Sequence, residues 1–263
     1  MRRLAALLLL LTALGAGLAA LPGAAVAQQR SGPRLITDLS QSRVDIEYTF
    51  AGADILLFGA IDRASALRDR PLDLIVVVRG PSYPLTVRKK ERVAGVWLNT
   101  RSVRFLTAPS YYALASTRPV EELVDEKTAA IYEFGIANLH FSPASTERSA
   151  REIQEFQQGL VDLRQRGGLY VEDPGSIKVV EGVLFRARAQ LPGDAPVGEY
   201  IASVFLVSEG KVLATTSVPL TVGKTGFEQA VYTFAVNHGL AYGLLAVVIA
   251  LAFGWGVAAI MKR

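Results

Sequence analysis

Imidazole chemistry in this chain would have to run through His140 or His238, the only two histidines. His238 stands immediately before a long apolar run, where an interfacial polar residue accounts for it. His140 lies in Asn138-Leu139-His140-Phe141 with Glu133 seven residues upstream, and no His-rich or Met-rich cluster accompanies it, so it reads as structural. The chain has no cysteine, which excludes disulfides, thiolate zinc sites and a cysteine nucleophile. The serines form no Gly-x-Ser-x-Gly elbow, and neither a phosphate-cradling glycine loop nor a dinucleotide fingerprint occurs. Carboxylates remain. Glu121-Glu122 and Asp125-Glu126 could supply a general acid and base, with Glu121 or Asp125 serving a membrane-tethered hydrolase. Their position at the start of a predicted helix, where the dipole favours acids, gives a simpler reading as solvated charge. The sequence therefore assigns no catalytic residue, no cofactor and no metal ligand, and the chain is read as a non-enzyme.

Binding chemistry has more material. Arg88-Lys89-Lys90-Glu91-Arg92 lies on or beside a predicted strand, where it protects an exposed edge or meets an acidic partner or lipid headgroups. Tyr83, Trp97, Tyr111 and Tyr112 are the candidate interface residues, since Tyr and Trp anchor interfaces; core packing is the competing reading for Trp97. Nucleic acid is not an expected partner. The net charge of +4 equals the contribution of Arg2, Arg3, Lys262 and Arg263, and the other 24 basic residues are matched by 24 acids.

The elements that must position these residues are mostly strands. Val44 to Phe50, Ile55 to Ile61, Leu74 to Val78, Leu85 to Val87, Val93 to Leu98 and Val103 to Leu106 are β-runs broken by Gly and Pro. The continuous run Leu74 to Val78 predicts a strand buried on both faces. Between about 118 and 167 the period changes to that of helices. One helix carries Val120, Leu123, Lys127, Ile131 and Phe134 and stops at Gly135. A second is expected to be capped by Ser142 with Pro143 at its first position, to carry Ile153, Phe156, Leu160 and Leu163, and to end at Gly167-Gly168. Strands return at Ile177 to Val180, Val183 to Leu191, Tyr200 to Val207 and Val212 to Val222, with Glu209-Gly210 as a hairpin turn. The Gly198-Glu199-Tyr200 sequence at the start of a penultimate strand resembles a tyrosine corner. The predicted fold is mainly β: an immunoglobulin-like β-sandwich with a two-helix insertion, one sandwich being preferred to two small β-domains.

The two ends predict location. Arg2-Arg3, the apolar Leu4 to Leu14 run and Ala25-Val26-Ala27 form a signal peptide over 1–27, with cleavage between Ala27 and Gln28; an uncleaved amino-terminal membrane helix is the alternative. An extracytoplasmic domain over 28–225 and a juxtamembrane segment over 226–239 follow. Residues 240–261 carry no charge, and at about 1.5 Å per residue they span about 33 Å, enough to cross a bilayer as a helix. Lys262-Arg263 then predicts a cytoplasmic tail, so the chain is read as a single-pass inner-membrane protein facing the periplasm. Ala246, Ala250, Gly254 and Ala258 recur every four residues as a candidate helix-packing seam for a homodimer or an integral membrane partner, the competing reading being the ordinary abundance of small residues in membrane helices.

Val44-x-Ile46-x-x-x-Phe50-x-Gly52, Leu57-Phe58-Gly59-Ala60-Ile61 and Ala130-Ile131-Tyr132-Glu133-Phe134-Gly135, between a signal peptide and a carboxy-terminal membrane helix, resemble the putative transmembrane protein family of alphaproteobacteria over nearly all of the mature chain. The resemblance carries over no catalytic residues. It implies an envelope accessory role beside sulfite-exporter-like permeases; a purely structural envelope role is the further alternative.

Overall fold

The computed structural model describes residues 33–46, 51–62, 70–145, 148–224 and 227–261. The signal peptide with its Ala27/Gln28 cleavage site, the end of the Val44 to Phe50 run and the Lys262-Arg263 tail lie outside the described residues. In chain order the elements are β1 (Arg34–Leu39), β2 (Arg43–Ile46), β3 (Gly52–Asp62), β4 (Asp73–Arg79), β5 (Ser82–Val93), β6 (Val96–Pro109) and β7 (Tyr112–Ser116). Then come α1 (Val120–Leu123), α2 (Glu126–Tyr132), a 3-10 turn (Ile136–Asn138), β8 (Ser142–Pro143) and α3 (Ala150–Arg166). Next are β9 (Tyr170–Pro174), β10 (Lys178–Val180), β11 (Leu184–Pro192), β12 (Gly198–Ser208), β13 (Lys211–Lys224), α4 (Phe227–Asn237) and α5 (Gly239–Met261).

Two large sheets form the body. One is antiparallel, in the order β1-β3-β11-β10; the other runs β2-β13-β12-β4-β7-β9, with parallel pairs at both edges. Both sheets combine strands from before and after the helical segment, so neither half of the chain can complete a sheet alone. The alternation of β11 shows how the layers meet: Phe185, Ala187, Ala189 and Leu191 are buried while their neighbours are exposed. From β12, Tyr200, Ala202, Val204 and Leu206 line the same interlayer space, and Phe205 points the other way, 4.8 Å edge-on to Phe134 of the helical segment. The six-stranded sheet is thus covered on both faces around β4, and Leu74 to Val78 are all 3% exposed or less, as their unbroken apolar run predicts.

The helical segment departs from its sequence reading in three ways. The first predicted helix is interrupted, because Val124 leaves helical geometry to bridge Gly210, and Asp125 then caps α2 by accepting from the Thr128 N–H at 2.8 Å. Ser142-Pro143 do not cap the second helix; they pair with β6 as β8, and Ser149 caps α3 instead, accepting from the Glu152 N–H at 3.3 Å. Of the expected apolar face, Phe156 and Leu160 are buried, but Leu163 is 63% exposed. Gly159 packs against nothing: a Cβ there meets no heavy atom within 4 Å. Gly159→Ala is therefore expected to stabilise the protein by about 0.5–1 kcal/mol through helix propensity alone. Calorimetry in mild detergent checks it, and an unchanged or lowered melting temperature refutes it.

The third sheet, β5-β6-β8, is dominated by a long hairpin. Its turn is Ala94-Gly95, with φ of 50° and 89°, a pair that suits the right-handed twist of the flanking strands. This corrects the expected Val93 to Leu98 strand, which the turn divides. The Glu209-Gly210 turn between β12 and β13 has the same two left-handed residues and stands where the sequence placed it.

Candidate functional site

The parallel β7–β9 pair forces the chain to cross over between them, and that crossover, residues 117–169, builds a cleft of about 990 Å³ on one face of the six-stranded sheet. Its floor is apolar, with Leu114 of β7, Ala129 of α2, and Phe134 and Phe141 between the helices. Its walls are acids and amides: Glu121, Asp125 and Glu126 on one side, Gln154, Gln157, Gln158, Asp162 and Gln165 of α3 on the other, and Glu172 from β9. Among the described residues no Lys or Arg lines it, and of the five carboxylates only Asp162 is ion-paired there, to Arg166 at 2.8 Å. Two of the others have structural duties. Glu172 accepts from the Ile136 N–H, and Asp125 is the α2 cap, its carboxyl held below the ordinary range by the Thr128 side chain and N–H. That direction suits a permanent anion rather than a general acid. Glu121 stands exposed on the rim.

Two anchors hold the crossover in place. At its start, Arg118 reaches back to Asp73 of β4 with Nη2–Oδ2 at 2.6 Å and Nε–Oδ1 at 3.2 Å, and the Thr117 hydroxyl donates to Oδ1 at 2.7 Å. Burial opposes ionisation of Asp73, but these donors outweigh it and keep its carboxyl below the usual carboxylate range. The folded-state value is therefore depressed, so the contribution is present above the unfolded value near pH ~4 and is lost as pH falls through the folded one. Asp73→Asn is expected to lose on the order of 1–2 kcal/mol at neutral pH. The gap from wild type should close as the pH drops below ~4. Denaturant titrations across that range check it, and a gap independent of pH sinks it.

At the end of α2, Glu133 takes a left-handed conformation, φ 54°. Its carboxylate receives Arg79 Nη1 at 2.7 Å and His140 Nδ1 at 3.0 Å, while Arg79 Nη2 donates to the Tyr132 carbonyl at 2.9 Å. His140 thus belongs to a hydrogen-bonded cluster around the Glu133 carboxylate at this turn.

The candidate interface residues separate. Tyr111 and Tyr112 are both 0% exposed, which corrects their assignment to a surface. Tyr112 opens β7, an interior strand covered on both faces, and Tyr111 stands immediately before it, so the two successive side chains enter two different packed layers. The Tyr111 hydroxyl donates across the sandwich to the Gln190 carbonyl at 2.8 Å, and Tyr112 donates to the Glu133 carbonyl at 2.8 Å while accepting from the Gly135 N–H at 2.9 Å. Burial raises the pKa of both phenols, which keeps them neutral donors. Tyr83 is partly exposed and donates to the Val197 carbonyl at 2.7 Å; Trp97 is 66% exposed, beyond the core, near the tip of the β5–β6 hairpin. Glu121 and Asp125 both line the cleft, whereas its glutamine wall, Gln154, Gln157, Gln158 and Gln165, is not singled out by the sequence, where only the apolar face of that helix stands out.

Helix α5 is apolar throughout, with a window Gly239–Ala258 of mean hydropathy 2.2 that is long enough to cross a membrane, and none of it is buried against the rest of the protein. Gly254, in the small-residue stripe with Ala246, Ala250 and Ala258, has open space around its Cβ position. The family model described as Putative transmembrane protein (Alph_Pro_TM) matches residues 34–263, which includes both the β-sandwich and this helix. The chain belongs to that transmembrane protein family. Membership and α5 together make it a membrane protein, mainly β, with one candidate membrane helix. No curated protein matches the sequence. Among solved structures, the sporulation control protein Spo0M from Bacillus subtilis matches with 9% identity and a TM-score of 0.27, over 79% of this chain and 56% of that one. The chain thus spans little more than half the length of that protein, and so low a score carries no argument about function.

Proposed function

We propose that this family member is an accessory binding module of the bacterial envelope, tethered in the inner membrane by α5 with its sandwich on the periplasmic side, and that it engages an integral membrane partner. The observation that carries the reading is the crossover cleft: about 990 Å³, an apolar floor, five carboxylates and, among the described residues, no lining cation. Such a site suits an amphipathic segment bearing Lys or Arg, whose stem packs on the floor while its charge meets the rim. The signal-peptide pattern and the positive-inside rule support the orientation, and the family resemblance makes a sulfite-exporter-like permease the partner class. The small-residue stripe of α5 gives the same partner, or a second copy, a helix to pack against in the bilayer.

Crosslinking and co-purification of the full chain from native membranes in mild detergent test this. The expected result is a stoichiometric membrane partner whose recovery falls about tenfold when Glu121→Lys and Glu126→Lys reverse the rim charge. Gly254→Leu should leave insertion intact while weakening the association. A chain recovered alone, or a partner indifferent to the rim charges, defeats the proposal.

A further inference from the structure

The β5–β6 hairpin carries a surface that neither the cleft nor the fold uses. Residues 92–100 are all exposed, and at its end Val93, Val96, Trp97 and Leu98 are 47%, 60%, 66% and 49% exposed. Around them the hairpin bears Arg88, Lys89, Lys90, Arg92, Arg101 and Arg104 against one acid, Glu91, in a chain whose remaining charge is otherwise nearly balanced. Lys89 is bound to Glu155 and Arg101 to Glu91, while Arg88, Lys90, Arg92 and Arg104 make no ion pair among the described residues. Arg92 faces Trp97 across the ladder and Lys90 faces Asn99, so cations and the indole share one face of the tip. Protection of a strand edge accounts for the cations. It does not account for four exposed apolar side chains at one hairpin tip.

The topology places the root of this hairpin at the sheet end from which the chain leaves for α5. Arg79, at the end of β4, pairs with Ile201, which pairs with Pro219, and Gly198 pairs with Val222 close to the end of β13. The hairpin starts three residues after Arg79, and Tyr83 ties its root to the Val197 carbonyl. The hairpin root and the exit toward α4 and α5 therefore lie at one end of the six-stranded sheet.

We infer that the β5–β6 hairpin tip docks on the anionic surface of the bilayer that α5 crosses, with Trp97 and its aliphatic neighbours at the headgroup boundary and the free cations on lipid phosphates. Tryptophan favours that boundary, and each Lys or Arg near an anionic surface raises partition about fivefold. Docking gives the sandwich a second point of attachment and so fixes the cleft's orientation to the membrane.

The two tryptophans are Trp97 and Trp255, so Trp255→Phe leaves Trp97 as the sole reporter in the full chain. Reconstituted in phosphatidylglycerol nanodiscs at low salt, Trp97 should emit at shorter wavelength than in phosphatidylcholine nanodiscs, resist aqueous acrylamide and be quenched by brominated acyl chains. Adding Arg88→Glu, Lys90→Glu and Arg92→Glu, all outside the core, should cut the bromolipid quenching at least fivefold, as should high salt. The inference is overturned if Trp97 stays open to acrylamide and unquenched in phosphatidylglycerol. Equal quenching in phosphatidylcholine overturns it too, because the cations would then have no part. Protection from acrylamide without bromolipid quenching also overturns it, since the cover would be protein.

Discussion

Tyr112→Phe is expected to lower the unfolding free energy by about 2 kcal/mol, because one buried hydroxyl satisfies two part-buried backbone groups and each costs roughly 1 kcal/mol or more when left unpaired. The phenol donates to the Glu133 carbonyl and accepts from the Gly135 N–H, on either side of a turn whose φ values are 54° at Glu133 and 97° at Gly135. Neither group has a helical partner there, since α2 has ended, so Tyr112 closes the end of the helix from across the sheet. The ring would still fill its site in the Phe variant, which confines the loss to hydrogen bonding. Tyr170→Phe is the internal control: its hydroxyl serves one acceptor, the Pro109 carbonyl at 2.7 Å, and should cost about 1 kcal/mol. Denaturant unfolding in mild detergent gives both values. Hydrogen exchange should also quicken at Gly135. If Tyr112→Phe costs no more than Tyr170→Phe, the turn is held by the Arg79–Glu133 pair instead.

Elements whose period or turn chemistry is local were legible in the sequence. β11 alternates strictly, Glu209-Gly210 marks the turn between β12 and β13, β4 is an unbroken apolar run, and α5 is apolar from end to end. The Gly-x-Tyr signature also gave a real contact, since the Tyr200 hydroxyl donates to the Pro196 carbonyl at 2.6 Å. What escaped depends on partners distant in sequence. β9 reads Tyr-Val-Glu-Asp-Pro, with four of its five residues exposed, and becomes a strand through its parallel ladder with β7. β1 went unread before Val44, although all six of its residues pair antiparallel with Leu57 to Asp62 of β3. The break between α1 and α2 arises from a bridge between Val124 and Gly210, some 86 positions apart, which no local propensity can encode.

The cleft was half legible for the same reason. Glu121 and Asp125 stood out as acids at helix starts, which they are. Their opposition to α3 comes from the crossover that the β7–β9 pair imposes, and Asp125's role as a cap becomes visible only once α2 starts at Glu126. The two adjacent tyrosines were misplaced by a rule of composition, since Tyr is common at interfaces. A strand covered on both faces gives Tyr nowhere else to go, and its hydroxyl then serves backbone groups that the packed layers leave unpaired.

Gly59→Ala is expected to cost about 3 kcal/mol, at the upper end of overpacking, with the first sheet losing its β1 edge. Gly59 lies in the middle of β3, paired with Thr37 on one side and Phe185 on the other. A Cβ there would stand 2.2 Å from the Ile36 carbonyl oxygen and 2.7 Å from the Phe185 ring. Its backbone conformation is open to any residue, so the obstacle is space alone: the Phe185 ring occupies the volume that a side chain on the inward face of β3 would fill. The two contacts can be separated. Gly59→Ala combined with Phe185→Leu removes the ring collision but leaves the carbonyl, which belongs to the β1 ladder and cannot retreat without giving up its pairing. The double variant should therefore recover little beyond the ring contact, and amide exchange along β1 should quicken in both variants relative to wild type. Full recovery in the double variant would mean that β1 yields easily and the ring alone demands glycine. A cost below 1 kcal/mol for the single variant would mean that the first sheet accommodates a side chain the packing leaves no room for, and the close approach of β1 to β3 would lose its structural role.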